Sequence, residues 1–170
     1  MTTGKQKLGE FGENLICKKF DCPKCKRANT LKRLPPNFKC SDIICDFCGY
    51  LAQVKTKTVS DINQFPSTIL GAAWKPQKDR MDAGIYIPLF IVLKDENKYS
   101  VFYLPSDLQT EEMFIARKPL SSSAKRAGWQ GYYFDGKLIQ NYITRLMWNY
   151  RMTQMWHTYA FSFNQQKFHF

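Results

Sequence analysis

Apolar residues recur at Leu8, Phe11, Leu15 and Ile16 with polar residues between them, a spacing that predicts a helix over Leu8 to Phe20. Glu10 and Glu13 then share one side of that helix. After a cysteine-rich segment that begins at Cys22, PPN at 35–37 breaks any helix, and FKCSDIIC reads as a strand. GYLAQVKTKTV alternates as its return strand, with Gln53 and Lys55 on one face and Val54 on the other. Residues 60–84 contain Pro66, Gly71, Pro76 and Gly84, which predicts a loop with a short helix near Ser67 to Trp74. IYIPLFIVL and KYSVFYLP flank the turn residues KDEN and predict a central hairpin. FIARKPLSSSAKRAGWQGYYF reads as a basic, small-residue loop with aromatics. Residues 137–156 read as a helix on the spacing of Leu138, Tyr142, Leu146, Met147 and Tyr150, and an aromatic tail, YAFSFNQQKFHF, follows.

No repeat or low-complexity linker divides these elements, so residues 1–170 are expected to form a single domain. With 44% hydrophobic and 15% aromatic residues, the chain has enough apolar surface for a core. Its longest apolar run, Ile85 to Leu93, is interrupted by Pro88 and falls short of the roughly 20 residues a bilayer demands, so no membrane segment is expected. The lysines of MTTGKQKLGEFGE are not followed by an apolar signal core, which predicts a cytoplasmic protein with reduced thiols. Charge adds one hint. A net +11, from 25 basic and 14 acidic side chains, suits a phosphate-bearing partner, although soluble proteins of many kinds are equally basic.

Reduced cysteines direct attention to metal. Cys22-Pro-Lys-Cys25 and Cys45-Asp-Phe-Cys48 are separated by nineteen residues, which fits the spacing of a four-cysteine zinc site spanning residues 22–48. Four thiolates leave no open coordination position, so such a zinc would be structural. The competing reading is of buried or redox cysteines. Cys17 and Cys40 remain over and are expected in the core. If Cys45-x-x-Cys48 turns the chain, Asp42 on the outgoing strand approaches Gln53 and Lys55 on the return strand.

An acid on one strand and an acid-x-Lys triplet on the next is what a magnesium-dependent nuclease needs: hard oxygens for the ion, and a cation for the phosphate. Here the set is Asp42 with Gln53-Val54-Lys55. The bland alternative is a surface strand with a capping Asp and a solvated Lys. The order of a helix carrying Glu13, then CPKC, Asp42, CDFC, QVK and RKPLSSSAKRAGWQG resembles the catalytic domain of DpnI-type, or Dam-replacing, restriction endonucleases over about residues 8–145. That resemblance implies an α+β fold with a PD-(D/E)XK restriction-endonuclease-like core, a mixed central sheet flanked by helices, and an inserted four-cysteine zinc site. It makes Asp42 the magnesium-bridging carboxylate and Lys55 the catalytic lysine, with the Val54 carbonyl completing the metal shell. Gln53 stands where the family has Glu and should weaken magnesium binding. Nuclease branches with Gln-x-Lys remain active, and Glu13 could supply the missing negative charge.

The resemblance also implies recognition of double-stranded DNA. Arg117, Lys118, Lys125 and Arg126 bracket a serine run that starts at Ser121 and lead into Gly128-Trp129, offering phosphate contacts and a flat apolar surface for a base or its methyl group. The alternative places Trp129 in the core and the four cations on a solvated face. Family members act at adenine-methylated GATC, some with a C-terminal winged helix; too little chain follows here for one, so the catalytic domain is expected to read its own site. Palindromic cutting would require a homodimer, or sequential nicking by a monomer. Two other functions compete: a catalytically inactive zinc-ribbon module that binds nucleic acid, and a zinc-stapled protein-interaction domain.

Overall fold

The computed structural model describes residues 3–36 and 38–151. Helix α1 (Gly4–Lys19) opens on a reciprocal cap: Thr3 Oγ1 accepts the Gln6 N–H, and Gln6 Oε1 accepts the Thr3 N–H. Lys18 and Lys19 complement the negative end of its dipole. Strands β1 (Leu31–Arg33), β2 (Ile43–Cys45) and β3 (Leu51–Thr58) follow, then β4 (Thr68–Ala73), α2 (Trp74–Asp82), β5 (Leu89–Lys94) and β6 (Lys98–Leu104). After two short 3-10 turns come β7 (Phe114–Ala116), β8 (Gly131–Asp135), the single turn α3 (Gly136–Ile139) and β9 (Thr144–Arg151). Among the described residues no helix is long and apolar enough to cross a membrane.

The architecture is mixed α+β. Six strands form one sheet in the order β1-β2-β3-β5-β6-β9, in which β3 and β5 are parallel and the other neighbours antiparallel. A second sheet has the order β4-β8-β7. The large sheet is covered on both faces. Ala52, Val54, Phe90, Val92, Tyr99 and Val101 meet Leu15 and Ile16 of α1, while Leu89, Ile91, Leu93, Phe102 and Leu104 meet Ile69, Phe114, Tyr132 and Phe134 of the second sheet. Burial on both sides explains why β5 reads as a continuous apolar run rather than an alternating one. The expected hairpin is present: Asp95 Oδ1 accepts the backbone N–H groups of Asn97 and Lys98 and closes the β5–β6 turn.

Two expected helices are corrected. Residues 137–156 are not one helix: a single turn ends at Ile139 and β9 runs antiparallel to β6. The misleading signal was the interval of four between Leu138, Tyr142 and Leu146, which suits a helix face but is also a multiple of the strand period. All three side chains are exposed, so that spacing marks no buried helix face. Residues 152–156 and the aromatic tail lie outside the described residues. The short helix expected near Ser67 to Trp74 is strand β4, and helix starts only at Trp74. Gly71 interrupts the strand pattern because the Tyr132 ring of β8 lies where its Cβ would be. The strand expected over FKCSDIIC is also shorter, and Asp42 sits one residue before β2.

Helix α1 approaches β3 most closely at Gly12, where an added Cβ would collide with Thr56 Oγ1 and press on Val54 Cγ1. Gly12→Ala should therefore cost about 1–3 kcal/mol by overpacking. Thr56→Ala in the same chain should recover part of the loss, as measured by urea unfolding. An additive double mutant would show that the contact is not the cause.

Candidate active site and metal centre

The two Cys-x-x-Cys segments fold alike. Lys26 N–H returns to the Cys22 carbonyl at 2.8 Å and Gly49 N–H to the Cys45 carbonyl at 3.0 Å, and the turning residues Lys26 and Gly49 have φ of 60° and 70°. The Lys26 conformation is one that a non-glycine residue rarely adopts, and the tight turn exposes donors to its cysteines. The four Sγ atoms all lie within 4.8 Å of one another, with Cys22–Cys48 at 3.6 Å and Cys25–Cys45 at 3.7 Å. Tetrahedral zinc with Zn–S bonds near 2.3 Å places its sulfurs about 3.8 Å apart, so the cluster can hold zinc. Burial opposes the Cys45 thiolate, yet the Thr30 hydroxyl and the Cys48 and Phe47 N–H groups outweigh it and lower its pKa to about 6. The remaining cysteines are half-buried: Cys17, on α1, packs against the core that α1 covers, and Cys40 sits in the loop before Asp42 at φ 63°, outside the core expected for it.

Asp42 and Lys55 come together at the far end of the same β2–β3 unit, whereas the Gln53 side chain meets Tyr132. β2 pairs with β3 only at Ile43↔Ala52 and Ile44↔Leu51, then leaves it. The next inward-facing amide, Val54 N–H, donates instead to Asp42 Oδ2 at 2.7 Å. Lys55 Nζ reaches the same oxygen at 3.4 Å. Gln53 N–H points the opposite way, to the Pro88 carbonyl at 2.8 Å, and in an extended strand a residue's N–H and C=O share a side. The Val54 carbonyl therefore opens toward Asp42. A carboxylate and a backbone carbonyl are hard oxygen donors of the kind that fit a divalent cation, and Gln53 is the next polar side chain along the strand.

Glu13 lies on the other flank, and sequence reasoning did not find its partner. Arg33 of β1 donates from Nε to Glu13 Oε2 and from Nη1 to Glu10 Oε1, each at 2.9 Å. The shared side of α1 was legible from the i, i+3 spacing; the cation that bridges it sits on a three-residue strand with no pattern of its own. Partial burial raises the Glu13 pKa, and nearby Asp42 adds to the rise while Arg33 and Lys55 oppose it. Two further polar groups, also missed, lie beneath Gln53: Gln77 of α2 and Tyr132 of β8, both buried. Burial pushes the Tyr132 hydroxyl upward. Among the described residues no three carboxylates gather as a metal cluster.

The basic loop forms a closed excursion between β7 and β8. Arg117 N–H bonds to the Gly131 carbonyl and Leu120 N–H to the Trp129 carbonyl, both at 2.9 Å. Lys118, Ser121, Lys125 and Arg126 are exposed, whereas Arg117 and Trp129 are half-buried. The Arg117 guanidinium lies 4.8 Å over the Tyr133 ring and that of Arg126 5.5 Å over the Trp129 ring. Trp129 is thus neither a core residue nor a free one: its edge rests on Gly131, where a Cβ would meet its Cη2 at 2.5 Å.

A family model described as DpnI: Dam-replacing family matches residues 2–156, nearly the whole chain. Such a match points to a restriction-type nuclease and, with it, to DNA binding.

The cysteine geometry predicts one zinc per chain by elemental analysis. Cys45→Ser should lose the ion together with cooperative thermal unfolding, because metal affinity is folding free energy in such a site. A soluble, zinc-free Cys45→Ser protein with the original melting curve would contradict the assignment.

Proposed function

The chain belongs to the Dam-replacing family, and from that membership and the Asp42–Lys55 geometry we propose that it is a type II restriction endonuclease. On this reading residues 1–170 form one nuclease domain with a PD-(D/E)XK core, cutting double-stranded DNA at specific sites with magnesium. The observation that carries it is the Asp42 carboxylate held by Val54 N–H with Lys55 Nζ 3.4 Å away.

The proposed mechanism assigns the residues as follows. Asp42, the Val54 carbonyl and Gln53 would hold magnesium, which would supply charge neutralisation at the phosphate and activation of water. Lys55 donates to a non-bridging phosphate oxygen and orients the water. As the water oxygen bonds to phosphorus it releases a proton to solvent, the opposite P–O ester bond breaks, and the leaving oxygen takes a proton from solvent. Glu13, held in place by Arg33, adds the negative charge that Gln53 does not bring. Arg117, Lys118, Ser121, Lys125 and Arg126 hold backbone phosphates, and Trp129 offers its exposed face to a base. Adenine-methylated GATC is the first target to test, on the strength of the family.

With plasmid carrying or lacking adenine methylation, the protein should give discrete fragments in magnesium and none in EDTA. Lys55→Ala should cut about two to four orders of magnitude more slowly while still binding DNA. Binding without cutting at any magnesium concentration would favour the inactive zinc-ribbon module and sink the enzyme. Gln53→Glu should keep or raise activity at low magnesium. Lys125→Ala should weaken binding across sequences and reduce the salt slope by about one; an unchanged slope would remove Lys125 from the interface.

A further inference from the structure

Gln53, Gln77 and Tyr132 come from β3, α2 and β8 and are 3%, 2% and 0% exposed. The Tyr132 hydroxyl donates to Gln77 Oε1 at 3.4 Å. The Gln53 side chain hydrogen-bonds the same hydroxyl, which also lies within electrostatic reach of Asp42. A phenol has a single proton. Once that proton goes to Gln77, the oxygen has only lone pairs for Gln53, so Gln53 must present its NH2 group. Its carbonyl oxygen is then turned away from Tyr132. Gln53 shares its strand face with Lys55, whose Nζ lies on Asp42.

The direction matters because the two ends of an amide have nearly the same shape and opposite electrostatics. An NH2 group facing a divalent cation would repel it. Glutamate faces no such choice, since both its oxygens accept. A glutamine can act as a ligand at this position only if something fixes which end points where. We propose that Tyr132 and Gln77 are positioning residues that lock the Gln53 amide with its carbonyl oxygen toward the divalent-ion site. This rests on the nuclease reading above and explains how that site could work without the usual carboxylate.

The test is Mn2+ binding to the zinc-loaded full chain without DNA, followed by electron paramagnetic resonance. Tyr132→Phe should weaken Mn2+ binding about fivefold, as expected for one buried hydrogen bond. In a Gln53→Glu background the same substitution should change it less than about twofold. Gln77→Met frees the phenol proton to turn on Gln53 and should reproduce the pattern, so the test survives if Tyr132→Phe does not fold. Equal weakening in both backgrounds, or none in either, overturns the lock while leaving the nuclease reading intact. Wild-type Mn2+ binding that is absent, or unaffected by Asp42→Ala, overturns the nuclease reading and the lock with it.

Discussion

Where β2 turns away from β3, the Val54 N–H is left facing an open edge inside the protein, and Asp42 Oδ2 accepts it at 2.7 Å. Val54 is 5% exposed, so an unanswered donor there would cost about 1–3 kcal/mol. The bond therefore fixes the carboxylate for structural reasons before any ligand arrives. Asp42 is held from both sides, since its own N–H bonds to the Ala52 carbonyl and its carbonyl accepts Leu34 N–H. From this point the geometry spreads: Lys55 is one residue beyond Val54, and the Val54 carbonyl faces the same opening. One unpaired position in a central strand thus gathers a carboxylate, a carbonyl and a lysine.

The divergence can persist only because the strands are held elsewhere. β1 and β2 are three residues each, and β2 shares two Cα pairs with β3, which is too little ladder to stand alone. The cysteine cluster closes the β2–β3 turn at one end and joins it to the chain leaving α1. Arg33 ties β1 back to α1 through Glu10 and Glu13. Those ion pairs are partly exposed and each is worth little as stability, but they set where the Glu13 carboxylate rests. The cysteine cluster and the candidate catalytic residues thus occupy opposite ends of one short hairpin.

What could be read from the sequence follows from how local the cause was. The α1 face lies within one element, the β5–β6 hairpin and the D…QVK pairing join strands across one turn, and the Cys22–Cys48 spacing is a motif whose residue types announce it without a packing partner. The β9 strand was misread because its partner β6 lies far along the chain and overrides a local interval of four, and β4 because the glycine that read as a breaker, Gly71, is there to admit the Tyr132 ring of β8. Arg33, Gln77 and Tyr132 were missed for the same reason. Each matters only through a residue more than a dozen positions away: Glu13 for Arg33, Gln53 for Tyr132 and Tyr132 for Gln77. Trp129 was left between core and surface, and its half-buried edge on Gly131 explains why both descriptions had merit.

The polar balance of the site gives Gln53 a rationale beyond loss. Glu10, Glu13 and Asp42 face Arg33 and Lys55, three carboxylates against two cations, which leaves one negative charge. A divalent cation would turn that into one positive charge, a match for the single negative charge of a phosphodiester. A carboxylate at position 53 would instead make the loaded site neutral and bind the ion more tightly. It would also have to sit 3% exposed against a phenol, where burial penalises the charged form. A neutral amide avoids that desolvation, and on the proposed nuclease reading a weaker hold on the ion would be offset by a site more attractive to phosphate. What the amide gives up is symmetry: it has one acceptor end, so it serves as a ligand only where its surroundings dictate its direction.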